Sequence, residues 1–165
     1  MGPAWFVDSV EWASTADEEI VALNNIDVRN ETVVNEKYKN LISPFDNKTS
    51  SDSISLFSHE PDKLVYHTNT SGNKLAVFSE IYYPDWTIKI DGDSANYVEA
   101  DYTLRAMIVP GGQHEIEFTF RPAYYTRANS LSMVFYYIIM TLILGLVIYS
   151  VYGELKKTKQ VSENA

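Results

Sequence analysis

The chain has 165 residues, no cysteine, and 22 acidic against 13 basic side chains, for a formal charge of −9. Its length admits one domain plus one extra element. The missing cysteines exclude disulfides, thiolate metal sites and a cysteine nucleophile, and the acidic balance excludes a nucleic-acid partner, which needs a basic surface to displace phosphate counterions.

The N-terminus, Met1-Gly-Pro-Ala-Trp-Phe6, has neither the basic region nor the apolar run of an export signal. Ala4-Trp5-Phe6-Val7 reads as the middle of a strand, so the sequence is expected to continue upstream of Met1. Ser9 to Ser14 completes that first strand. Thr15-Ala-Asp-Glu18 then reads as a capping box, and Asp17, Glu18 and Glu19 suit the positive end of a helix dipole. Ile20, Val21 and Leu23 give this short helix something to bury, and Asn24-Asn25 ends it. A strand at Thr32-Val33-Val34 follows, then a loop over residues 43–53, rich in Ser, Asn, Asp and Pro.

From there the period is two. Ser53–His59 and Lys63–Asn69 flank the turn Glu60-Pro61-Asp62. Lys74–Tyr83 is apolar on both faces, which predicts an internal strand. Trp86, Ile88 and Ile90 alternate towards a core, and Asp91-Gly92 turns the chain. Leu104, Ala106 and Ile108 alternate next, and Pro110-Gly-Gly112 makes another turn. His114, Ile116, Phe118 and Phe120 face inward, with Glu115, Glu117 and Thr119 outward. The fold class this predicts is mainly β: an antiparallel β-sandwich, immunoglobulin-like or jelly-roll-like, with one short N-terminal helix.

The C-terminal quarter differs. Leu131 to Tyr152 carries no charge, and as a helix it would rise about 33 Å, enough for a hydrocarbon core of about 30 Å. Tyr136, Tyr137, Tyr149 and Tyr152 sit near its ends, as interfacial aromatic residues do. Lys156, Lys157 and Lys159 follow and would lie in the cytoplasm. The expected organisation is therefore an extracytoplasmic β-domain over 1–128, a single C-terminal transmembrane helix over 129–153 and a basic cytoplasmic tail over 154–165. The β-domain holds ten basic and twenty acidic residues, which discourages tight docking onto anionic lipid.

Motifs that carry chemistry are few. No P-loop, nucleophile elbow, zinc-protease helix or dinucleotide fingerprint is present. Asp91-Gly-Asp93-Ser-Ala-Asn96 begins like a calcium loop but lacks the oxygen ligand at its fifth position and the glycine at its sixth, so it reads as a hairpin turn. His59, His67 and His114 are too far apart in sequence to suggest a shared metal site. Four residues stand as ligand-binding candidates. Tyr82, Tyr83 and Trp86 have the make-up of an aromatic sugar platform, against the plainer reading of core packing plus a turn. Arg105, on the outward parity of its strand, could clamp a phosphate or carboxylate, against pairing with a neighbouring carboxylate. No catalytic residue, metal ligand or cofactor is indicated.

Several stretches stand out together: Ala4-Trp5-Phe6-Val7, the Asp17-Glu18-Glu19 helix, Leu75-Ala-Val-Phe-Ser-Glu-Ile-Tyr-Tyr-Pro84, Trp86 with Asp91-Gly92, Ala100-Asp-Tyr102-Thr-Leu-Arg105-Ala106, and Val109-Pro-Gly-Gly-Gln-His-Glu-Ile-Glu-Phe118. In these the chain resembles the end of the YfhO-type bacterial membrane proteins, in the style of the Bacteroidetes members. Asp85 stands where that family commonly has glycine. The resemblance implies a multi-spanning parent similar to the glycosyltransferases that use lipid-linked sugars, with its acidic catalytic residues in loops between early membrane helices. On that reading this segment is non-catalytic and lies in the cell membrane of a bacterium. Its partners would be the lipid bilayer, upstream transmembrane helices, and a glycan or a polyprenyl-phosphate-sugar. A carbohydrate-binding or adhesion module on a membrane stalk, and a tail-anchored interaction domain, are the alternative classes.

Overall fold

The alternating stretches form eleven strands in the computed structural model, which describes residues 2–42, 44–122, 131–146 and 148–149. In chain order they are β1 (Ala4–Val7), β2 (Ser9–Ala13), β3 (Glu31–Asn35), β4 (Ser53–Glu60), β5 (Lys63–Thr70), β6 (Lys74–Phe78), β7 (Trp86–Ile90), β8 (Asp93–Ser94), β9 (Val98–Ala100), β10 (Leu104–Val109) and β11 (Gly112–Phe120). Helix α1 (Ala16–Leu23) joins β2 to β3, and a 3-10 turn over Glu36–Tyr38 follows β3. The strands make two sheets, ordered β1-β6-β10-β9-β3-β2 and β4-β5-β11-β7-β8. The chain divides into two units, Met1–Arg121 and Pro122–Ala165, and both sheets lie in the first.

The six-stranded sheet carries an unusual constraint. Its outermost strands, β1 and β2, are separated only by Asp8. Two peptide steps span at most about 7.6 Å, so the two edges must meet at this residue and the sheet must curl. Side chains from all six strands then converge on one inner cluster. Val7, Val34, Leu75, Val77, Val98, Ala100 and Ala106 are buried there, Ile42 is buried against them, and Val10, Trp12 and Phe45 pack around the margin. The opposite face offers Phe6, Ala76, Phe78, Met107 and Val109 to the five-stranded sheet, which supplies Leu64, Tyr66, Ile88, Ile116 and Phe118. Strand β6 is therefore buried on both faces, as its unbroken apolar run predicts.

Polar groups freed where the edges meet are satisfied by one lysine. Lys48 Nζ donates to Asn30 Oδ1 at 2.6 Å, Arg29 O at 3.0 Å and Phe6 O at 3.4 Å, and lies 3.4 Å from Asp8 Oδ2. Its own backbone N–H donates to Asp8 Oδ1 at 2.7 Å. A second lysine fixes the same loop from inside. Lys74 Nζ lies 3.3 Å from Asp52 Oδ2 with both side chains 2% exposed or less, and it also donates to Asn47 O. Burial pushes the Asp52 carboxyl up, but the N–H groups of Ser71 (2.7 Å) and Thr49 (2.6 Å) outweigh this and hold it well below the usual carboxylate range.

Local expectations hold well. Thr15 caps α1 by accepting from Glu18 N at 3.2 Å, while Glu18 reaches back to Ser14 N at 2.8 Å, one residue before the cap. The hairpins around Glu60-Pro61-Asp62 and Asp91-Gly92 form as predicted, the second through left-handed φ at Asp91 (52°) and Gly92 (93°).

Three expectations are corrected. The sheet is not wholly antiparallel: β2 and β3 run parallel, joined through α1. That crossover unit departs from an antiparallel immunoglobulin-like or jelly-roll-like sandwich. Helix α1 does not bury Ile20 and Val21, which are exposed; its buried residue is Glu19, at 7% exposure. Nor is the transmembrane helix expected over 129–153 borne out. The C-terminal helix runs continuously over 131–146, sixteen residues that rise about 24 Å against a core of about 30 Å. Among the described residues no helix is long and apolar enough to cross a membrane. The rest of that stretch, apart from helical residues 148–149, and the tail over 154–165 lie outside the described residues.

Replacing Asp52 leaves Lys74 buried without its carboxylate. Asp52→Asn should lower stability by about 2–3 kcal/mol in chemical denaturation. Because the carboxyl of Asp52 titrates lower folded than unfolded, its contribution is present above the ordinary carboxylate range and lost as pH falls. The variant should therefore show a shallower acid-induced loss of stability than the parent.

Candidate functional site

Tyr82, Tyr83, Trp86 and Arg105 come together at the end of the sandwich where β11 finishes. Register explains Arg105: it is opposite Phe78 on β6 and shares the face of Met107 and Val109, so it points between the sheets. It is 2% exposed. Its guanidinium lies 4.3 Å from the Trp86 ring centre and 5.2 Å from that of Phe118, and its Nε donates to Ile81 O at 2.9 Å. Burial lowers its pKa, opposed by Tyr97, Glu80 and Tyr66. Arg105 Nη1 and the Tyr66 hydroxyl are buried, and among the described residues neither has a hydrogen-bond partner. Burial also pushes Tyr66 up to about 12.

Trp86 covers this arginine, and the other two aromatic candidates pack on neighbouring rings. Trp86 packs on Phe120 at 5.3 Å and Tyr83 on Phe120 at 5.9 Å. Tyr82 packs on Tyr97 at 5.3 Å, and the Tyr97 hydroxyl donates towards the carbonyls of Tyr83 (2.9 Å) and Trp86 (3.0 Å). Tyr83 and Ile81 are exposed at 52% and 69%, whereas Trp86 is half-buried. Arg105 is committed to two rings and a carbonyl, a geometry that pins the 79–86 segment to the sandwich.

A second polar group joins residues that are far apart in sequence. His114 Nδ1 lies 2.6 Å from Asp91 Oδ2, and its Nε2 lies 3.2 Å from Gly111 O. Both ring nitrogens thus face acceptors, an arrangement that suits the doubly protonated ring. The Asp91 hydrogen bond comes first in raising His114, and the His114 hydrogen bond comes first in lowering Asp91. Beside it, Ser53, Ser55, His67, Asn69 and Gln113 line a shallow cavity of about 390 Å³ with His114.

The third group was not legible as a site. A crevice of about 450 Å³ opens where the carboxyl ends of β2 and β3 meet the start of α1 and the β9–β10 turn. Glu19, Asn35, Lys37, Glu99 and Tyr102 line it. Glu19 Oε1 accepts from Asn35 Nδ2 at 3.1 Å. Beneath the turn, Asp101 (9% exposed) accepts from Thr32 Oγ1 at 2.9 Å and Val33 N at 2.8 Å through one oxygen. Burial raises its pKa, partly offset by those bonds. Asp101 and Tyr102 both take left-handed φ, 49° and 68°. Aspartate tolerates this locally, but for tyrosine it is strained. In sequence, Glu19 reads as one of three acids at a helix start, so nothing signalled its burial. Among the described residues no three His, Asp or Glu side chains gather as a metal site.

Arg105→Lys loses the planar stack and should cost about 2 kcal/mol of stability, whereas Arg105→Met, which fills the space without a buried charge, should cost less; denaturant titration separates them. His114 titrates higher folded than unfolded, so its contribution is full below about pH 6.5 and lost as pH rises through its folded value; that of Asp91 is present above about pH 3.8 and lost below. The melting temperature should therefore fall as pH rises above about 6.5, and His114→Gln should flatten that fall.

Compared with known proteins, the family described as bacterial membrane protein YfhO matches this chain over residues 19–132. Neither a curated protein nor a solved structure matches it.

Proposed function

We infer that this chain, which belongs to the YfhO family of bacterial membrane proteins, acts as a non-catalytic extracytoplasmic β-domain of an envelope glycosyltransferase that uses a lipid-linked sugar. The observation that carries this reading is where the family match falls: residues 19–132 run from within α1 through β3 to β11. The domain's part would be to support and shape the acceptor side of the enzyme while the chemistry proceeds elsewhere in the protein. Its partners would then be the lipid bilayer, the membrane helices of the parent enzyme, and a glycan or polyprenyl-phosphate-sugar. Supporting this is the acidic balance of the chain, which disfavours docking onto anionic lipid. The exposed Tyr83 beside Trp86 remains the aromatic element of the original four residues that a glycan could touch, and Arg105 serves it by fixing the segment.

The chain has no native cysteine, which makes its sidedness directly testable. Lys89→Cys lies on an exposed position of β7. A membrane-impermeant maleimide added to intact cells, or to spheroplasts of a species with an outer membrane, should label it fully. Labelling only after lysis would contradict the extracytoplasmic placement. In the parent enzyme, removing residues 1–121 should abolish sugar transfer to the envelope acceptor while leaving donor binding intact; unchanged transfer would contradict the supporting role.

A further inference from the structure

We propose that the crevice between α1, the end of β3 and the β9–β10 turn is a saccharide-binding subsite that takes a neutral or amino-bearing sugar. This rests on the crevice itself and goes beyond the proposed function: sugar binding there would stand whether or not envelope glycosylation depends on the domain.

Topology places the crevice. Strands β2 and β3 are parallel and joined through α1, so both carboxyl ends and the helix start open on the same side. Crevices at the carboxyl ends of parallel strands are where such units bind ligands. The volume, about 450 Å³, lies within the range of small-molecule sites, roughly 300–1,000 Å³.

The lining then selects the ligand. Helix α1 inverts the usual arrangement: Ile20 and Val21 face solvent and Glu19 is buried to 7% exposure. A carboxylate held this way needs hydrogen-bond donors. Asn35 supplies one, to Oε1, and among the described residues Oε2 receives no protein donor although the side chain lines the crevice. Glu99 adds a second acceptor group and Lys37 a donor. A sugar hydroxyl both donates and accepts, which is what a carboxylate, an amide and an ammonium together can satisfy. Tyr102 supplies the other half of sugar recognition. It is 43% exposed on the rim, and it stays there in a left-handed conformation that is costly for tyrosine. The turn is locked from below by Asp101 on Thr32 and Val33, so the ring is offered on a rigid support.

Charge narrows the class further. The start of a helix ordinarily favours anions, but here Asp17, Glu18 and Glu19 occupy the first turn. With Glu99 opposite and Lys37 the basic group in the lining, the crevice repels phosphate and uronic acids and suits neutral or amino sugars.

Nitrogen-15 NMR of the full chain in detergent tests this, using methyl β-glucoside, methyl β-galactoside, N-acetylglucosamine, glucosamine, glucuronate and inorganic phosphate as probes. The amides of Ala16, Lys37, Tyr102 and Thr103 should shift saturably with at least one neutral or amino sugar, and less with glucuronate or phosphate. Tyr102→Gly removes the ring and accepts the same φ without strain, and Glu19→Gln keeps the bond from Asn35. Each should weaken binding about tenfold while the spectrum of the sandwich is unchanged. Should either variant disturb the fold, Glu99→Gln at the crevice wall gives the same readout. The proposal is overturned if no probe shifts these amides, if the shifts map instead to Tyr83 and Trp86, if phosphate or glucuronate binds there more tightly, or if the variants bind as well as the parent.

Discussion

Asp8 is the residue on which the architecture turns. It is the whole connection between two strands at opposite edges of one sheet, and so short a link leaves the sheet no option but to curl until those edges meet. Curling creates an inner cluster that a flat sheet would lack, and it leaves carbonyl groups near Asp8 that must be satisfied. Lys48 answers that need with three hydrogen bonds and an ion pair. The loop that carries Lys48 is in turn held by the buried Lys74–Asp52 pair. An open backbone edge is thereby replaced by charge-assisted contacts, which also protects the sheet from edge-to-edge pairing.

The same closure positions the features that bear on function. Because β2 returns alongside β3 in parallel, α1 must cross over them, and its start faces the β9–β10 turn. That is what assembles Glu19, Asn35, Glu99 and Tyr102 in one crevice. Near the same end of β10, Arg105 is drawn between the sheets and ties Trp86 and the Ile81 carbonyl to the core. One region is thus rigid by cation–π packing, and the other is polar and open. The contrast separates a residue that holds the fold from residues free to meet a ligand.

How much of this the sequence disclosed follows the range of the interactions. The capping box at Thr15, the Asp91-Gly92 turn and the two-faced strand β6 depend on neighbours within a few residues, and each was readable. The parallel pairing of β2 with β3 was not, since nothing local distinguishes a strand that bends at Asp8 from one that runs straight. Arg105 was assigned to the wrong face because Leu104, Ala106 and Ile108 alternate convincingly, while in a sheet buried on both sides the opposite parity is interior as well. The His114–Asp91 contact joins residues 23 apart. The helix expected over 129–153 was judged by composition, and its continuous described length, residues 131–146, is what falls short.

The claim that the two edges close on Asp8 and Lys48 can be measured directly by native-state hydrogen exchange. In Lys48→Met, amides of β1 and of β2 with β3 should lose protection together, by a similar factor, while those of β5 and β11 keep theirs. Loss confined to β1, or spread equally across both sheets, would contradict the account.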